Sequence, residues 1–200
     1  MFIQIEGIDG AGKTTQVRRL KNTLNKMGYK TITIKEPDST GFGLTIKKII
    51  MSDTKRHRLA DLFMFLAGKV QLYNELIIPN LARDVNVISD RGDASFLSYH
   101  HLATSMTFEE LTSLLKIATR DTRPNLTILL DVNYQTALER NKHKKELSKF
   151  DRLGENFFNK QHELFINFAK TMPNWHVIDG SATKKEVSRQ IMKEVSIFIK

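Results

Sequence analysis

The chain has 200 residues, 40% of them hydrophobic, and a formal net charge of +9. This length favours a single domain over residues 1–200, and the sequence holds no apolar run near the roughly 18 residues that a membrane-spanning helix needs. The lack of cysteine excludes disulfides and thiolate metal sites. Because a strand begins at once, we expect no signal peptide, and we predict a cytoplasmic protein with no membrane partner.

The positive charge has two interpretations, a nucleic-acid-binding surface or a basic enzyme with anionic substrates. We favour the enzyme and treat nucleic-acid binding as the weaker alternative. The basic residues are spread along the chain, and no nucleic-acid-binding module is recognisable. The one dense cluster is Lys142-His143-Lys144-Lys145.

The first predicted element is a buried strand over Phe2–Glu6, followed by a glycine-rich loop and a helix over Gln16–Met27. The loop reads G-x-x-x-x-G-K-T, a pattern whose backbone N–H groups and helix dipole hold a polyphosphate. In this pattern Lys13 reaches the β- and γ-phosphates, and the Thr14 hydroxyl ligates Mg²⁺. The loop alone leaves open whether the phosphate is hydrolysed, transferred or sensed. The residues that we expect to bind ATP are Gly7, Ile8, Asp9, Gly10, Ala11, Gly12, Lys13, Thr14 and Thr15.

The rest of the chain alternates strands and helices. Strands are predicted over 30–34, 85–89, 126–131 and 175–178, and helices over 42–51, 59–81, 94–103, 108–119, 134–141, 155–171 and 184–199. This alternation predicts a three-layer α/β fold with a five-stranded parallel sheet flanked by helices. Right-handed crossovers place the carboxyl ends of such strands at one edge, so the polar segments 7–14, 35–40 and 90–91 should converge there.

The longest predicted helix carries apolar residues at helical spacing. They are Leu62, Phe63, Leu66, Val70, Tyr73 and Ile77. Phe65 and Lys69 are four residues apart and therefore share a face, where a ring could stack on a base and a cation could touch its edge. Spacing alone instead favours a core phenylalanine and a surface lysine.

Two polar segments are typical of phosphoryl chemistry. Asp90 follows an apolar strand and can hold Mg²⁺ as a Walker-B acid does, while Arg91 offers a planar fork for phosphate oxygens. The alternative is an exposed ion pair in a loop. The basic cluster, with Arg140 before it and Arg152 after it, predicts a short lid over about 141–152 that excludes water and neutralises developing charge. Such a charge run by itself would be a solvated loop.

Taken together, these motifs resemble the thymidylate kinase family, most closely its bacterial type. The matching stretches are Phe2–Thr15, Glu36-Pro37 with Thr40, Ala60–Leu72, Asp90-Arg91 with Ser95 and Tyr99, Arg123–Thr127 and Leu130–Val132. The resemblance implies a P-loop NTPase fold, a homodimer, and the reaction of ATP with dTMP to give ADP and dTDP, with Mg²⁺. It implies that Asp9 lies near the acceptor sugar and phosphate and that Arg91 grips that phosphate. It also implies that Phe65 stacks on the thymine and that Tyr99 favours deoxyribose.

Some members of this family carry an arginine inside the phosphate loop, at the position of Gly10. This chain lacks it, which implies that the lid supplies the transition-state cation. The expected catalytic residues are Lys13, Arg91, Arg140 and Arg152, and the expected metal ligands are Thr14 and Asp90. The expected acceptor-binding residues are Asp9, Glu36, Pro37, Lys47, Phe65, Lys69, Arg91, Ser95, Phe96, Tyr99 and His100.

The departures from the family pattern cluster around the acceptor base. Arginines of the family are replaced by Lys35, Lys47 and Lys69, a polar base reader by Phe96, a glutamine by His100, and an aromatic residue or histidine by Gly92. Lysine keeps the charge of arginine but loses its bidentate fork. A modified deoxyuridine or another deoxynucleoside monophosphate therefore stays open as the acceptor. The alternative of a different class is a partner-regulated P-loop ATPase switch, although the Asn-Lys-x-Asp base reader of GTPases is absent from the sequence.

Overall fold

The structure is a computed structural model that describes residues 1–142 and 151–199. The strands are β1 (Phe2–Glu6), β2 (Thr31–Lys35), β3 (Asn86–Asp90), β4 (Leu126–Asp131) and β5 (Trp175–Asp179). The helices are α1 (Lys13–Lys26), α2 (Gly41–Met51), α3 (Arg58–Leu72), α4 (Ile78–Leu81), α5 (Asp93–Ala103), α6 (Phe108–Thr119), α7 (Tyr134–Asn141), α8 (Gly154–Thr171) and α9 (Lys184–Ser196), with a π-helical turn (Tyr73–Ile77) and a 3₁₀ turn (Asp151–Leu153). Most of the predicted lid, 143–150, lies outside the described residues.

Within those ranges the strands form one parallel sheet in the order β2-β3-β1-β4-β5. The central strand is β1, and none of its residues is more than 1% exposed. Ile5 pairs with Asp90 in β3 and with Ile128 in β4, so the segments that follow β1 and β3 leave the same edge side by side. Helix α1 packs on β1, β2 and β3, while α8 and α9 pack on β5. The predicted α/β fold with five parallel strands flanked by helices is confirmed.

The side chains of β1 alternate between the two faces of the sheet. Ile3 and Ile5 belong to the larger hydrophobic cluster, whereas Phe2, on the other face, packs in a smaller cluster with residues of the segment that follows α3. Gln4 and Glu6 share the face of Phe2 and are buried as completely as the apolar residues. A buried polar side chain needs a hydrogen-bonding partner, and the partners of Glu6 belong to the candidate site.

The predicted helix over 59–81 is interrupted by the π-helical turn. Pro79 has no N–H to donate to the carbonyl four residues before it, and a widened turn accommodates that missing bond. Of the apolar residues at helical spacing, Phe63 and Val70 lie outside the core, at 56% and 44% exposed. No helix in the described ranges is both long and apolar enough to cross a membrane.

A close backbone contact fixes the start of α2 against the segment that follows β2. A Cβ atom at Gly43 would lie 1.9 Å from the Pro37 carbonyl oxygen, whereas a Cβ at Gly41 would have nothing within 4 Å. We expect Gly43→Ala to lower the free energy of unfolding by about 1–3 kcal/mol, because the two backbone segments must separate. Gly41→Ala, the matched control, should leave it unchanged or raise it by less than about 1 kcal/mol. Urea denaturation measures both, and equal stabilities of the two variants would contradict the contact.

Candidate active site

The phosphate loop joins the buried end of β1 to α1. Gly12 is the N-cap of α1, and no side chain among the described residues caps the first turn of this helix. The backbone N–H groups of that turn, together with the positive end of the helix dipole, are therefore placed to bind an anion. This is the arrangement that the G-x-x-x-x-G-K-T pattern predicts.

Helix α7 lies directly against this loop at Gly10. A Cβ atom at Gly10 would be 2.4 Å from the carbonyl oxygen of Ala137 and 2.9 Å from Nδ2 of Asn141, and the backbone φ of +93° disfavours any side chain. An arginine at this position therefore cannot be accommodated unless α7 moves. The close contact and the positive φ account in physical terms for the glycine at this position.

Lys13 is buried inside the loop. Its Nζ donates hydrogen bonds to the carbonyl oxygens of Gly7 and Ile8, both at 2.8 Å, and lies 3.9 Å from the Asp9 carboxylate. Burial, assisted by the nearby positive charge of Arg91, lowers the pKa of Lys13 to about 8. The ammonium group is thus held at the loop that would receive the phosphates.

The two predicted metal ligands lie side by side. The Thr14 hydroxyl donates a hydrogen bond to Oδ2 of Asp90, whose side chain is buried at the end of β3. A hydroxyl and a carboxylate beside a phosphate loop are oxygen ligands of the kind that Mg²⁺ prefers. The described residues contain no group of three or more acidic, histidine or cysteine side chains that could bind a metal without further ligands.

Arg91 connects the phosphate loop to the start of α5. Its Nη2 donates to Oδ1 of Asp9, and its Nη1 donates to Oγ of Ser95 at 3.0 Å. The backbone of Arg91 has a φ of +76°, in the left-handed region, and its carbonyl oxygen accepts a hydrogen bond of 2.5 Å from the Ser89 hydroxyl. The structure therefore brings the predicted acceptor-phosphate residue to the phosphate loop.

Two cavities meet at this point. The first, of about 470 Å³, follows the phosphate loop and extends to Arg140, Gly180 and Lys184. The second, of about 400 Å³, is lined by all the acceptor-binding residues that the sequence predicts, namely Asp9, Glu36, Pro37, Lys47, Phe65, Lys69, Arg91, Ser95, Phe96, Tyr99 and His100. Asp9, Lys35 and Arg91 line both cavities. The site is therefore two adjoining pockets that share one charged boundary.

The predicted cations of the lid occupy different positions. Arg140 lies at the first cavity, where its Nη2 donates to the Gly180 carbonyl oxygen at 2.9 Å and its Nη1 approaches the Ala11 carbonyl oxygen at 3.5 Å. Arg152 is exposed in the 3₁₀ turn before α8. Of the dense basic cluster, residues 143–145 lie outside the described residues.

Lys69 is buried, so the surface position that spacing alone favours is wrong. Its Nζ is 2.7 Å from Glu36 and 3.3 Å from Asp93, and the Tyr73 hydroxyl donates to the same oxygen of Asp93 at 3.3 Å. Burial by itself would lower the pKa of Lys69, but the two carboxylates raise it above its ordinary value. Two of the three ammonium protons therefore have carboxylate partners, and Lys69 still lines the second cavity.

The inner end of the second cavity is aromatic. The ring of His100 lies 5.3 Å from that of Phe65, 4.6 Å from that of Phe96 and 5.0 Å from that of Tyr99, between ring centroids. Burial lowers the pKa of His100 to about 3, so its imidazole is neutral at physiological pH. Its Nδ1 has no hydrogen-bond partner in the part of the chain that the structure describes. This end of the cavity thus combines aromatic faces with a neutral imidazole.

Lys47 also lines the second cavity, and its side chain is partly exposed. Its Nζ lies 2.5 Å from Oδ2 of Asp38, which belongs to the segment after β2. The cation that stands in place of a family arginine therefore has an anionic neighbour of its own.

Sequence reasoning missed several residues of the second cavity. Asp38 lies within the polar segment 35–40 that was expected at this edge, but it was not named as a site residue. Phe157, Phe158 and Gln161 come from α8, more than fifty residues after α5, and they form a wall that no local pattern places there. Asp93 was also missed, because only the fold brings it to Lys69.

Comparison with known proteins agrees with this geometry. The family model described as thymidylate kinase matches residues 5–191. A thymidylate kinase from Fervidobacterium nodosum is 33% identical over 201 residues, which cover 100% of both chains. Those from Thermosipho africanus and Kosmotoga olearia are 32% and 30% identical, over 96% and 100% of this chain and 95% and 97% of their own lengths.

The neutral state of His100 predicts a pH dependence of stability. The unfolded chain binds a proton at an imidazole pKa of about 6.5, whereas the folded protein does so only near pH 3. Between these values the unfolded state binds more protons, so stability falls as the pH is lowered. Between pH 5.5 and pH 4, the free energy of unfolding should fall more steeply in the wild type than in His100→Gln. The difference in slope should be up to about 1.4 kcal/mol per pH unit. Urea denaturation at several pH values measures the difference, and parallel curves would contradict a buried neutral imidazole.

Proposed function

We propose that this chain, which belongs to the thymidylate kinase family, transfers the γ-phosphate of ATP to dTMP and yields ADP and dTDP. The single observation that best supports the proposal is the pair of adjoining cavities that share Asp9 and Arg91. One cavity has the phosphate loop of a nucleotide donor, and the other has an aromatic end for an acceptor base. Their shared boundary is where a donor phosphate and an acceptor phosphate would meet.

On the donor side, the loop would hold the β- and γ-phosphates of ATP through its backbone N–H groups and Lys13. Mg²⁺ would be held by Thr14 and Asp90, and it would neutralise charge on the donor phosphates. Lys13 leaves the carbonyl oxygens of Gly7 and Ile8 when a phosphate offers it stronger, charged acceptors.

On the acceptor side, Arg91 would orient the phosphate of dTMP, with Asp9 near the acceptor sugar. An oxygen of that phosphate attacks the γ-phosphorus, the bond to the β-phosphate oxygen breaks, and ADP leaves with that oxygen. No covalent intermediate with the protein is needed, because positioning and electrostatic stabilisation carry such a reaction. Arg140 lies at the donor cavity, and with Arg152 and the lid over about 141–152 it would neutralise charge on the transferred group.

The acceptor base would stack on Phe65, while Tyr99 crowds the 2′ position and favours deoxyribose. Glu36 and Asp93 engage two of the three ammonium protons of Lys69. The third would donate a hydrogen bond to a carbonyl oxygen of the base. These same contacts support a second candidate, in which the reaction is unchanged but the acceptor is another deoxynucleoside monophosphate. Phe96 stands where a polar residue would contact the base, so it does not distinguish dTMP from another acceptor. The activity of the protein with each monophosphate decides between the two candidates.

A homodimer is part of the proposal. Helix α3 packs against both α2 and α6, and these three helices carry exposed apolar side chains at Phe42, Leu44, Ile49, Met51, Leu59, Phe63, Val70 and Ile117. A concentration of apolar side chains on adjoining helices is a feature of protein interfaces, and we assign this face to a second copy of the chain. The nucleotide substrates further support a cytoplasmic location.

The proposed reaction is tested by ADP release in the presence of ATP, Mg²⁺ and one of a panel of monophosphates: dTMP, dUMP, dCMP, dGMP or dAMP. We expect the highest kcat/KM with dTMP. A clear preference for dUMP, dCMP, dGMP or dAMP would contradict dTMP as the acceptor and favour the second candidate. ADP release that ignores every monophosphate would contradict both candidates.

The same assay tests the role of Arg91 with a matched control. Arg91→Ala should lower kcat/KM for the acceptor by at least about 100-fold, because a charged contact to the reacting phosphate is lost, while ATP affinity stays close to that of the wild type. Arg123→Ala removes an exposed arginine that is paired with Asp121 and should leave both values unchanged. A nearly normal rate in Arg91→Ala would disprove the assigned role.

The proposed dimer face predicts a specific effect of charge. Phe63 is 56% exposed on α3, and Met27, at the C-terminus of α1, is 53% exposed away from the three helices. Sedimentation analysis should find a dimeric wild type, a monomeric Phe63→Glu variant and a dimeric Met27→Glu variant, because a carboxylate is costly to bury in an interface. A monomeric wild type, or a Phe63→Glu variant that stays dimeric, would count against the assignment.

A further inference from the structure

Glu6 is a buried acid that none of the roles above uses. It is the last residue of β1, directly before the phosphate loop, and its side chain is 0% exposed. Burial raises the pKa of Glu6, whereas the hydrogen bonds from Ser95 and the charges of Arg91 and Lys13 oppose that effect. A carboxylate is costly to bury, so its partners indicate what it contributes.

Both oxygens of Glu6 accept hydrogen bonds from the same residue. The backbone N–H of Ser95 donates to Oε1 at 2.9 Å, and the Ser95 hydroxyl donates to Oε2 at 2.5 Å. Ser95 lies in the first turn of α5, whose N–H groups have no acceptors within the helix. An acid that lies 89 residues earlier in the chain therefore caps this helix and fixes the Ser95 side chain.

The hydrogen bonds have a definite direction. Both oxygens of Glu6 accept hydrogen bonds from Ser95 and a guanidinium only donates, so the single Ser95 hydroxyl proton points to Glu6 while a lone pair of the same oxygen faces Arg91. Nη1 of Arg91 donates to that oxygen at 3.0 Å. The direction of donation thus runs from Arg91 to Ser95 to Glu6, and the acid determines which way the hydroxyl points.

We propose that Glu6 is a positioning residue that holds the Arg91 guanidinium in place through Ser95. The role rests on the proposed function, in which Arg91 orients the acceptor phosphate. Asp9 anchors one end of the guanidinium from the phosphate loop, and the Ser95–Glu6 pair anchors the other from α5. Glu6 does not line either cavity, so it touches no substrate and acts only through its neighbours.

An amide in place of the acid has the same shape but the wrong polarity. The side chain introduced by Glu6→Gln would offer one acceptor for the two donors of Ser95. If its NH₂ group faced the hydroxyl, the hydroxyl proton would turn towards the guanidinium, which cannot accept it. Glu6→Gln should therefore loosen Arg91 without creating a cavity.

The experiment compares Glu6→Gln, Ser95→Ala, Ser95→Thr and the double variant Glu6→Gln/Ser95→Ala in the ADP-release assay. Glu6→Gln and Ser95→Ala should each lower kcat/KM for the acceptor by about 10- to 100-fold, as expected for loss of a hydrogen bond to a charged group. Their ATP affinity should stay within about twofold of the wild type. Ser95→Thr keeps the hydroxyl and should retain most of the activity. The double variant should lose little more than either single variant, because the two residues act in one chain of contacts.

A control separates positioning from stability. Thr119→Val removes a buried hydrogen bond of 2.9 Å to the Leu115 carbonyl oxygen on α6, away from both cavities. It should lower the unfolding midpoint without changing the acceptor kcat/KM. An effect of Glu6→Gln no larger than that of Thr119→Val, additive losses in the double variant, or a parallel loss of ATP affinity would each overturn the proposal.

Two further outcomes remain decisive. If Glu6→Gln does not fold, Glu6→Asp replaces it: the shorter side chain keeps the charge but withdraws its oxygens from Ser95. An acceptor kcat/KM equal to that of the wild type in Glu6→Asp would overturn the proposal, as would equal activity of Ser95→Ala and Ser95→Thr. A wild type without monophosphate-dependent ADP release would instead refute the proposed function, and the role of Glu6 with it.

Discussion

Arg91 is held from two sides, and this arrangement connects the two cavities. Asp9 reaches it from the phosphate loop and Ser95 from the first turn of α5. Both residues can contact Arg91 because β1 and β3 are neighbours in the sheet, with Ile5 paired to Asp90. The segments that follow these two strands therefore leave the sheet side by side. The left-handed backbone of Arg91 then turns the guanidinium back towards the loop. A cation fixed by two parts of the fold keeps one geometry, which phosphoryl transfer requires because positioning carries most of its catalysis.

Sequence patterns predicted the fold, and the family resemblance named eleven of the residues that line the second cavity, but neither predicted the contacts inside it. The alternation of strands and helices predicted the parallel sheet. The glycine-rich motif predicted a loop that leads into a helix at Lys13 and Thr14. Lys69 was less accessible to such reasoning. Four-residue spacing from Phe65 indicates a shared helix face, yet whether that face is buried depends on Asp93, which lies in another helix. Glu6 gave no signal for a similar reason, since an acid at the end of an apolar strand has meaning only once Ser95 is beside it.

The acceptor cavity combines two ways of keeping polar groups inside a protein. Lys69 stays charged because the carboxylates of Glu36 and Asp93 lie 2.7 Å and 3.3 Å from its ammonium nitrogen and stabilise the positive charge. His100 stays neutral because Phe65, Phe96 and Tyr99 exclude water from its ring. The Lys69 ammonium group is a charged hydrogen-bond donor held in one orientation. The His100 imidazole is a polar group that needs no counterion. In the proposed function, a base that bound between them would meet one group that only donates and one whose tautomer adapts to the base.

The contact between Gly10 and α7 has an evolutionary consequence. Because the Ala137 carbonyl oxygen occupies the space of a side chain at position 10, no single codon change can introduce an arginine there and preserve the packing. A side chain at position 10 therefore requires a compensating change in α7, the helix that also carries Arg140. The loop and this helix are constrained together, so a substitution in one limits which substitutions the other tolerates.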